Sequence, residues 1–536
     1  MMLKKRKYPV GIQSFESIRQ DGYVYVDKTP LIYRMVTEGK HYFLSRPRRF
    51  GKSLLVSTLE AVFQGRRELF EAFVTNYGIQ QPQLFIATTD WEWEKYPVIR
   101  FDFSRNKKYT IDILEEQIDD TLKQYEGEYG ITADSKDSST RFQYLIKEAH
   151  RQTGRRVVVL VDEYDNFMLH SLGNRQLEEG VRATFSNLFS ALKFLDDHLQ
   201  FVFITGISKF SQMGIFSTLN NLQNISMLAN YEAICGITEE ELTTQLKPDI
   251  EQLSVTLGIS PEETLAELKQ MYDGYHFSKG MTDIYNPFSL VGAFSGGDIL
   301  NYWFDSATPG ALIDVLRKMP PLELTDIDGK CHPASGFDLP FDNYQATLPI
   351  LYQSGYLTIK DYVPNRRMYT LGFPNLEVRM GFADCLYQVV SNTRPDSNSR
   401  SALLNAYYDF RDYDDLPAFI EAVKTFYASL PYQWECDNKN EHYYHALLYT
   451  LLTAFGADVR AEEPTAKGRS DLVLLMPKGI YIMELKYDDT ALNALEQIDE
   501  KGYARKYLAD GRPVTKVGLA FSSEERNITE YLWEAV

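Results

Sequence analysis

Two apolar runs near the end of the chain, separated by a short turn, constrain its fold more than any other segment. The sequence GRSDLVLLMPKGIYIMELKY at residues 468–487 predicts a strand, a turn centred on Lys478-Gly479, and a second strand. An antiparallel pairing about this turn places Asp471 opposite Lys486 and diagonal to Glu484. Because side chains two apart on a strand share a face, Glu484 and Lys486 point the same way. The sequence therefore predicts two carboxylates and an amine at one end of a hairpin.

This set of side chains is typical of a hydrolytic Mg²⁺ site. Carboxylates hold a hard cation, and a lysine steadies the attacking water or the charged phosphate. The alternative for a lone Glu-x-Lys is an exposed pair on an edge strand. However, Glu484 follows a buried apolar run, where an unpaired charge is costly unless a metal or a partner compensates. The hairpin therefore indicates phosphodiester cleavage.

The composition describes a long, acidic chain. At 536 residues it exceeds a single hydrophobic core, so we expect about two to four domains. The formal net charge of −18 argues against bulk electrostatic coating of nucleic acid, so any such contact must use local basic patches. No run reaches the length of a membrane span, and no apolar run follows the basic N-terminus. Because no run has the length of a membrane span, we expect no membrane contact. The cysteines are scattered without a CxxC pair, which fits a reducing compartment, so we expect a cytoplasmic protein.

A phosphate-binding signal lies in the N-terminal part. The segment KHYFLSRPRRFGKSLLVSTLEAVF predicts an apolar strand, a loop that ends in Gly51, Lys52 and Ser53, and a helix. Such a loop needs a glycine where the backbone approaches phosphate, a lysine for the β and γ groups, and a hydroxyl for Mg²⁺. The usual pattern has another glycine where this chain has Arg46. FGKS alone is therefore a weak signal.

A second signal strengthens the nucleotide interpretation. The run RRVVVLVDEYD is a β-branched strand that ends in Asp162 and Glu163. Such a strand suits the centre of a parallel sheet, where ligands bind at the carboxyl ends of the strands. We expect Asp162 to hold Mg²⁺ through water and Glu163 to polarise the attacking water. The alternative is a helix-capping acid beside a surface acid.

A third strand, LQFVFITGISKF, ends in Thr205, Ser208 and Lys209. In an ATPase this is where a residue senses the γ-phosphate, and Ser208 is the candidate for contact with the nucleotide. The alternative is ordinary turn chemistry at a strand end.

These segments together resemble one family. YVDKTPLI, RPRRFGKSLL, VVVLVDEYD, and FITGISKFS with FSTLNNL resemble, in order, the predicted AAA-ATPase-like family of bacterial proteins, as do MYDGYHF and IYNPFSL. The resemblance covers residues 8–290, and an arginine at the position of Arg46 is usual in that family. It implies ATP binding by Lys52 and Ser53, with Asp162 and Glu163 as the Walker B pair.

The resemblance extends the candidate nucleotide site. It implies that Asp27 and Thr29 lie near the nucleotide, and Arg48 and Arg49 inside the loop are within reach of phosphate. Gly51, Lys52 and Ser53 complete the loop. Many such ATPases complete their sites between subunits, so the family also implies a homo-oligomer.

The middle of the chain predicts a helical lid and a winged-helix-like module. The lid begins with ITEEELTTQL, in which Thr238 and Glu241 form a capping box. The segment LPILYQSGYLTIKDYVPNRRMYTLGFPNLEVRMGF then predicts a helix, a hairpin, and a helix that starts near Asn375. A winged helix either binds DNA, here through Arg366 and Arg367, or packs on the nucleotide domain as an inert lever.

The C-terminal part resembles the PD-(D/E)XK nuclease superfamily, most of all the version fused to AAA-ATPase-like domains. The predicted order αβββαβ, with Asp and Glu-x-Lys on the second and third strands, carries the resemblance over residues 435–525. By this resemblance Asp471 and Glu484 are metal ligands and Lys486 is the catalytic lysine. Glu441, early in the first helix, matches an acid that joins the metal shell.

Two further polar residues belong to the predicted nuclease cleft. Gln497 and Lys501 lie one helical turn apart and face the same side. Related nucleases place a polar residue here to contact substrate phosphate. Taken alone, Glu441 is a solvated first-turn acid and Gln497 a surface residue. The first motif usually has a proline before the aspartate, whereas Ser470 precedes Asp471 here.

Polar, breaker-rich residues such as SNTRPDSNSRS set the domain boundaries. We expect an α/β multidomain chain. Its parts are an AAA-ATPase-like P-loop domain at 1–237, a helical lid at 238–300, a variable insertion with the winged-helix-like module at 301–390, a linker at 391–401, and a restriction-endonuclease-like domain at 402–536.

Two functions of different classes fit this architecture. The leading hypothesis is an ATP-regulated, Mg²⁺-dependent nuclease that cleaves nucleic acid, with DNA favoured over RNA. In it, ATP binding or hydrolysis moves the lid and the winged helix. The alternative is a nucleotide-dependent switch or scaffold whose nuclease fold only binds nucleic acid. A DNA-translocating motor ranks last, because the chain shows no helicase motif set.

Overall fold

A computed structural model provides the fold of the chain. It describes residues 6–104, 108–131, 135–171, 174–207, 222–306, 316, 327, 329–333, 347–391, 397–429, 441–464 and 468–536. The chain forms two compact units, one of residues 1–307 and 329–375 and one of residues 308–328 and 376–536. Within the described ranges, no helix combines the length and apolar character that a bilayer span requires.

The first unit contains a parallel sheet and several short strands. They are β1 (His41–Ser45), β2 (Phe73–Val74), β3 (Gln80–Gln81), β4 (Val98–Asp102), β5 (Val157–Asp162), β6 (Leu199–Gly206), β7 (Gln223–Asn224), β8 (Ile237–Thr238), β9 (Ile284–Tyr285), β10 (Lys330–Pro333), β11 (Thr358–Val363) and β12 (Met368–Gly372). The central sheet has the order β4-β5-β6-β1-β7, and all of its pairings are parallel. Every residue of β5 is buried, as a β-branched strand between two helical layers requires.

Several helices of the first unit begin with capping residues or prolines. They are α1 (Phe15–Gln20), α2 (Thr29–Glu38), α3 (Lys52–Phe63), α4 (Ile111–Glu128), α5 (Ser138–Thr153), α6 (Asn166–Ser171), α7 (Arg175–Ser190), α8 (Glu239–Gln245), α9 (Lys247–Leu257), α10 (Pro261–Tyr272), α11 (Pro287–Gly296), α12 (Tyr302–Ser306) and α13 (Thr347–Ser354). Thr110, Asp137 and Asn174 cap α4, α5 and α7 by accepting from backbone N–H groups of the first turn.

Helices α8 to α11 form the predicted helical region after the sheet. The predicted capping box is present, because the Thr238 side chain accepts from Glu241 N and the Glu241 carboxylate accepts from Thr238 N. Ser260 and Glu263 form a second box at α10. Buried apolar residues of α8 to α11 join one hydrophobic cluster, which includes Leu242, Leu253 and Leu290.

The predicted helix and hairpin in the middle of the chain are present as α13, β11 and β12. Strand β10 adds a third, antiparallel strand, in the order β10-β12-β11. The exposed arginines Arg366 and Arg367 lie in the hairpin turn, where Arg367 has a φ of 50°. The winged-helix assignment stays a prediction, because the following helix belongs to the second compact unit.

The second unit contains a mixed sheet and five helices in its described residues. The helices are α14 (Leu376–Ser391), α15 (Ser397–Tyr413), α16 (Leu416–Ala428), α17 (Glu441–Ala454) and α18 (Ala491–Lys501). The strands are β13 (Val459–Pro464), β14 (Arg469–Leu475), β15 (Ile480–Tyr487), β16 (Val514–Ser522) and β17 (Asn527–Ala535). From α17 to β16 the element order is αβββαβ, as predicted, and β17 is an additional edge strand. The sheet order is β13-β14-β15-β16-β17, in which only β15 and β16 pair in parallel.

The register of the β14–β15 hairpin differs from the sequence prediction. Leu472 pairs with Met483, so the same register places Asp471 opposite Glu484 and not opposite Lys486. The physical reason is the turn: Met476 and Gly479 exchange backbone hydrogen bonds, which leaves Pro477 and Lys478 as the loop. The predicted turn at Lys478-Gly479 was therefore wrong by one position.

Candidate functional sites

The phosphate loop lies between β1 and α3 in the first unit. Gly51 precedes α3 with a φ of 91°, which only glycine adopts without strain. The positive end of the α3 helix dipole therefore faces the loop. The Lys52 ammonium donates to the carbonyl oxygens of Arg46 and Pro47, at 2.9 Å each. Burial lowers the Lys52 pKa, while the nearby carboxylates of the Walker B segment favour the charged form.

Arg46 has a structural role beside the phosphate loop. Its guanidinium donates to the carbonyl oxygens of Ser226, Tyr231 and Glu232 and lies 4.1 Å from the centre of the Phe277 ring. The side chain is 2% exposed, and burial lowers its pKa. The arginine at the first-glycine position therefore ties the loop to later segments of the same unit.

The two other loop arginines have different environments. Arg48 is partly buried, and its carbonyl oxygen accepts from Trp303 Nε1 at 2.9 Å. Arg49 is exposed, and its guanidinium lies 4.8 Å from the centre of the Phe288 ring on α11. A φ of 67° at Arg49 is unusual for a residue with a side chain and bends the loop before Gly51. Phosphate contact by these arginines stays a prediction.

The predicted metal ligands of the nucleotide site lie together. Asp162 ends β5 and is 1% exposed, and the Ser53 hydroxyl hydrogen-bonds to its carboxylate. Burial raises the pKa of Asp162 to about 6, although Ser53 and the Arg100 guanidinium, 3.7 Å from Oδ2, act in the opposite direction. Oδ1 is buried without a hydrogen-bond partner in the described part of the chain. A hard cation fits this donor set, because it would satisfy that oxygen.

Glu163 follows Asp162 in a strained conformation. Its φ of 51° lies in the left-handed region, which is costly for a residue with a side chain. The chain turns there, because Tyr164 N donates to the carbonyl of Thr205 and Asn166 N to that of Glu163. This turn separates the Glu163 side chain, which is partly exposed, from the buried strand. Strain of this kind is typical of a functional position.

Asp27 and Thr29 lie in a hydrogen-bonded turn before α2. Asp27 Oδ1 accepts from Thr29 N at 2.8 Å and from Thr29 Oγ1 at 2.7 Å. Asp27 Oδ2 accepts from Phe85 N, and Thr29 Oγ1 accepts from Ile86 N. Through these hydrogen bonds both residues stabilise the turn and its contact with residues 85–86. Their contact with nucleotide stays a prediction. Ser208, the proposed γ-phosphate sensor, and Lys209 lie outside the described residues.

An apolar cavity of about 110 Å³ adjoins the phosphate loop. It lies between the segments before β1, helix α3 and helix α11, and its lining includes Tyr8, Val26, Gly51, Leu54, Val291 and Phe294. An apolar lining beside a phosphate loop suits a nucleotide base. Sequence reasoning missed this cavity, although the YVDKTPLI and IYNPFSL segments pointed to two of its walls.

The carboxylates of the second unit converge at the β14–β15 hairpin. Asp471 Oδ2 accepts from Leu485 N at 2.8 Å, and Asp471 N lies 3.5 Å from Glu484 Oε2. Glu484 is 1% exposed, whereas Asp471 is partly buried. Two acids on directly opposed positions of neighbouring strands can share one cation.

Lys486 and Gln497 extend this carboxylate pair. Lys486 Nζ donates to Gln497 Oε1 at 2.6 Å and lies 3.8 Å from Glu484 Oε1. The Gln497 amide nitrogen in turn donates to Glu484 Oε1. Gln497 therefore bridges the lysine and the acid, a contact that was not predicted, and its contact with substrate phosphate stays a prediction. Lys501, one turn later, is exposed and ends α18.

Comparison with known proteins identifies the family. A family model described as predicted AAA-ATPase matches residues 9–216, and one for the PD-(D/E)XK nuclease superfamily matches residues 439–531. "Uncharacterized protein in vnfD 5'region" from Azotobacter chroococcum mcd 1 is 34% identical over 545 residues, which cover both chains in full. The chain belongs to the predicted AAA-ATPase family. It combines a predicted AAA-ATPase part with a PD-(D/E)XK nuclease superfamily part, in the predicted order.

The phosphate loop, Asp162 and Glu163 fall inside the predicted AAA-ATPase match. Asp471, Glu484, Lys486 and Gln497 fall inside the nuclease match. Glu441 also lies inside the nuclease match and begins α17, but its side chain lies outside the described residues. The cavity residues Val291 and Phe294 lie beyond the predicted AAA-ATPase match.

Two residues of the nuclease domain were missed by sequence reasoning. His445, 4% exposed on α17, donates through Nε2 to the carbonyl oxygen of Asp471 at 2.7 Å. Tyr503 is 3% exposed, and its hydroxyl contacts the Gln497 side chain and the backbone of Arg469. Burial raises the Tyr503 pKa. In the sequence, the glycine before Tyr503 marks where the helix ends. Gly502 ends α18 with a φ of 64° and turns the chain back toward β14.

Proposed function

We propose that this member of the predicted AAA-ATPase family is a Mg²⁺-dependent nuclease controlled by ATP. The observation that carries the proposal is the contact network of Asp471, Glu484, Lys486 and Gln497. It joins two opposed acids that can hold a divalent cation to an ammonium that can stabilise charge on a phosphodiester, with an amide between them. The ordered phosphate loop in the same chain supports control by nucleotide.

Each group of the nuclease domain has one proposed task. Asp471 and Glu484 hold Mg²⁺ through carboxylate oxygens, and the bound ion supplies charge that stabilises the phosphodiester during cleavage. Lys486 steadies the attacking water and supplies positive charge beside the substrate phosphate. Gln497 positions Lys486 relative to Glu484, and His445 positions Asp471 through its backbone.

The nucleotide site has a matching set of tasks. Lys52 binds the β and γ phosphates, and Ser53 with Asp162 holds Mg²⁺. Glu163 orients the water that attacks the γ-phosphate. The cavity beside Gly51 binds the base of the nucleotide. To bind phosphate, the Lys52 ammonium must leave the two carbonyl oxygens that it now contacts.

The proposal extends to partners and location. The substrate is nucleic acid, with DNA favoured over RNA, and it meets a local basic surface because the chain as a whole is acidic. The described cysteines, Cys235, Cys331 and Cys385, are free thiols, which supports a cytoplasmic location. Self-association is proposed from the family alone.

A cleavage assay tests the nuclease proposal. Single- and double-stranded DNA and RNA are incubated with the full chain, with and without Mg²⁺ and ATP, beside Lys486→Ala. Lys478→Ala is the matched control, since it removes an exposed lysine from the turn of the same hairpin. We expect Mg²⁺-dependent cutting by the wild type and by Lys478→Ala, and a loss of about 100-fold or more in Lys486→Ala.

The outcomes separate the candidate functions. If the wild type cuts none of the four substrates but binds them in a nucleotide-dependent manner, the switch or scaffold hypothesis replaces the nuclease. Equal cutting by the wild type and Lys486→Ala would contradict the assigned role of the lysine. Release of phosphate from ATP by the wild type and not by Glu163→Gln supports hydrolysis in addition to binding.

A further inference from the structure

The phosphate loop is in direct contact with elements that follow it by more than two hundred residues. Trp303, 1% exposed on α12, donates from Nε1 to the carbonyl oxygen of Arg48 at 2.9 Å. A Cβ placed on Gly355 would lie 2.5 Å from Pro47 Cβ, so the backbone after α13 lies directly on the loop. Gly355 also has a φ of 89°, so only glycine fits there.

A second set of contacts continues from the loop to the β11–β12 hairpin. The Phe50 ring lies 4.7 Å from that of Tyr275, and Tyr275 Oη donates to the carbonyl of Gly355 at 3.0 Å. The next residue, His276, donates from its backbone N–H to Thr358 Oγ1 at 2.6 Å, and Thr358 begins β11. Loop and hairpin therefore belong to one packed network inside the first unit.

Nucleotide binding must disturb this network at its origin. The Lys52 ammonium satisfies the carbonyl oxygens of Arg46 and Pro47, and a phosphate group would compete for it. Pro47 is the residue that contacts Gly355, and Arg48 is the residue that accepts from Trp303. A rearrangement of the loop therefore acts on both contacts, since packed interfaces shift between discrete arrangements and do not deform continuously.

We propose that Trp303 and Gly355 are positioning residues that couple nucleotide occupancy of the phosphate loop to the order of the β11–β12 hairpin. The inference rests on the proposed binding of ATP and adds a route by which it acts. Linkage makes the coupling reciprocal: a ligand that fixes the hairpin, whose turn exposes Arg366 and Arg367, changes nucleotide affinity by the same factor.

Hydrogen–deuterium exchange of the full chain tests the coupling. Backbone exchange in residues 358–372 is followed with and without a non-hydrolysable ATP analogue and Mg²⁺, while equilibrium titration with a fluorescent ATP analogue measures nucleotide binding separately. Trp303→Phe keeps the ring and removes the N–H donor. Trp91→Phe is the matched control, because Trp91 Nε1 has no hydrogen-bond partner within the described ranges.

In the wild type and in Trp91→Phe, we expect nucleotide to change exchange in the hairpin by about threefold or more, because a rearranged loop alters its contacts with the elements packed on it. In Trp303→Phe, we expect nucleotide to bind within about tenfold of the wild type, the cost of one neutral hydrogen bond, while the hairpin response is lost.

Three results would overturn the inference. Nucleotide binding by the wild type without a change in hairpin exchange refutes the coupling and leaves ATP binding intact. A full hairpin response in Trp303→Phe refutes the role of Trp303. Absence of nucleotide binding in the wild type refutes the proposed ATP site and the coupling with it. The wild-type measurement decides the coupling even if a variant fails to fold.

Discussion

At the scale of single residues, Gln497 has the contacts most specific to the nuclease proposal. Its amide oxygen accepts from Lys486, and its amide nitrogen donates to Glu484, so one side chain sets the separation of an ammonium and a carboxylate. A neutral amide can do this for both charges at once because it offers a donor and an acceptor. We therefore assign it to positioning and not to metal binding.

Removal of this bridge is expected to slow cleavage without unfolding the domain. Gln497→Ala should reduce the Mg²⁺-dependent cleavage rate by about 10- to 100-fold, the usual effect of losing a residue that supports a metal site. Cleavage rates and thermal unfolding are measured together, with Glu496→Ala as an exposed control on the same helix. An unchanged rate in Gln497→Ala would show that Lys486 is positioned by other contacts.

Asp273 gives a residue-scale prediction about stability and pH. It is 3% exposed at the end of α10, and burial raises its pKa to about 6, with Asp283 acting in the same direction and Lys269 against it. The folded pKa lies above the unfolded value, so the folded chain binds more protons between about pH 4 and pH 6. Stability contributed by this group therefore falls as pH rises through that window.

Asp273→Asn removes this ionisation. At pH 7.5 the variant should have a larger free energy of unfolding than the wild type, by at most about 3 kcal/mol, and therefore a higher unfolding temperature. This difference in stability should shrink at pH 5. Thermal unfolding of both proteins at the two pH values is the measurement. A variant that is less stable than the wild type by the same amount at both values would contradict the prediction.

At the scale of elements, helix α18 must lie close to β16 for the cleft to form. A Cβ on Gly518 of β16 would lie 2.2 Å from the carbonyl oxygen of Ala491, at the start of α18. A backbone carbonyl cannot move aside as the end of a flexible side chain can. This close contact therefore requires glycine at position 518. The helix that carries Gln497 is therefore positioned by a glycine on the sheet.

Gly518→Ala is expected to displace α18 and to lower both stability and cleavage. Overpacking of this kind costs about 1–3 kcal/mol, which thermal unfolding detects as a lower midpoint. Gly127→Ala is the control, because the added Cβ on α4 meets nothing within 4 Å and should stabilise the helix by about 0.5–1 kcal/mol. Wild-type cleavage in Gly518→Ala would show that α18 tolerates a shift.

The hairpin shows how far elements could be predicted from the sequence. Both strands of residues 469–487 followed from apolar runs and a breaker-rich turn, and the acids fell on the expected strands. The strand register could not be predicted in this way, because turns at Pro477-Lys478 and at Lys478-Gly479 fit the same sequence equally well. Backbone hydrogen bonds decide between them, and these depend on the folded sheet.

At the scale of the whole molecule, the order of the elements was the most predictable feature. A β-branched run, a phosphate loop and an αβββαβ order leave few alternatives, because each constrains how strands and helices can pack. Contacts between distant segments were not predictable. The Arg46 hydrogen bonds to residues 226–232 and the cavity beside Gly51 join parts of the chain that no local pattern relates.

The acidity of the chain is a reason to expect that contact with nucleic acid is controlled by the nucleotide site. A net charge of −18 repels nucleic acid at long range, so productive contact depends on local groups being presented correctly. A nucleotide-dependent rearrangement in the first unit is one means of controlling that presentation. The chain is therefore proposed to be a nuclease under nucleotide control, and the central claim is that cleavage depends on ATP.

The rate of Mg²⁺-dependent cleavage, measured against ATP concentration for the wild type and for Lys52→Ala, tests this claim most directly. We expect the wild-type rate to change by about tenfold between no ATP and saturating ATP, a typical coupling between two sites. The Lys52→Ala rate should stay constant, because that variant loses the ammonium that is proposed to bind phosphate. Identical, ATP-independent rates in the two proteins would contradict control by ATP and leave the nuclease proposal standing.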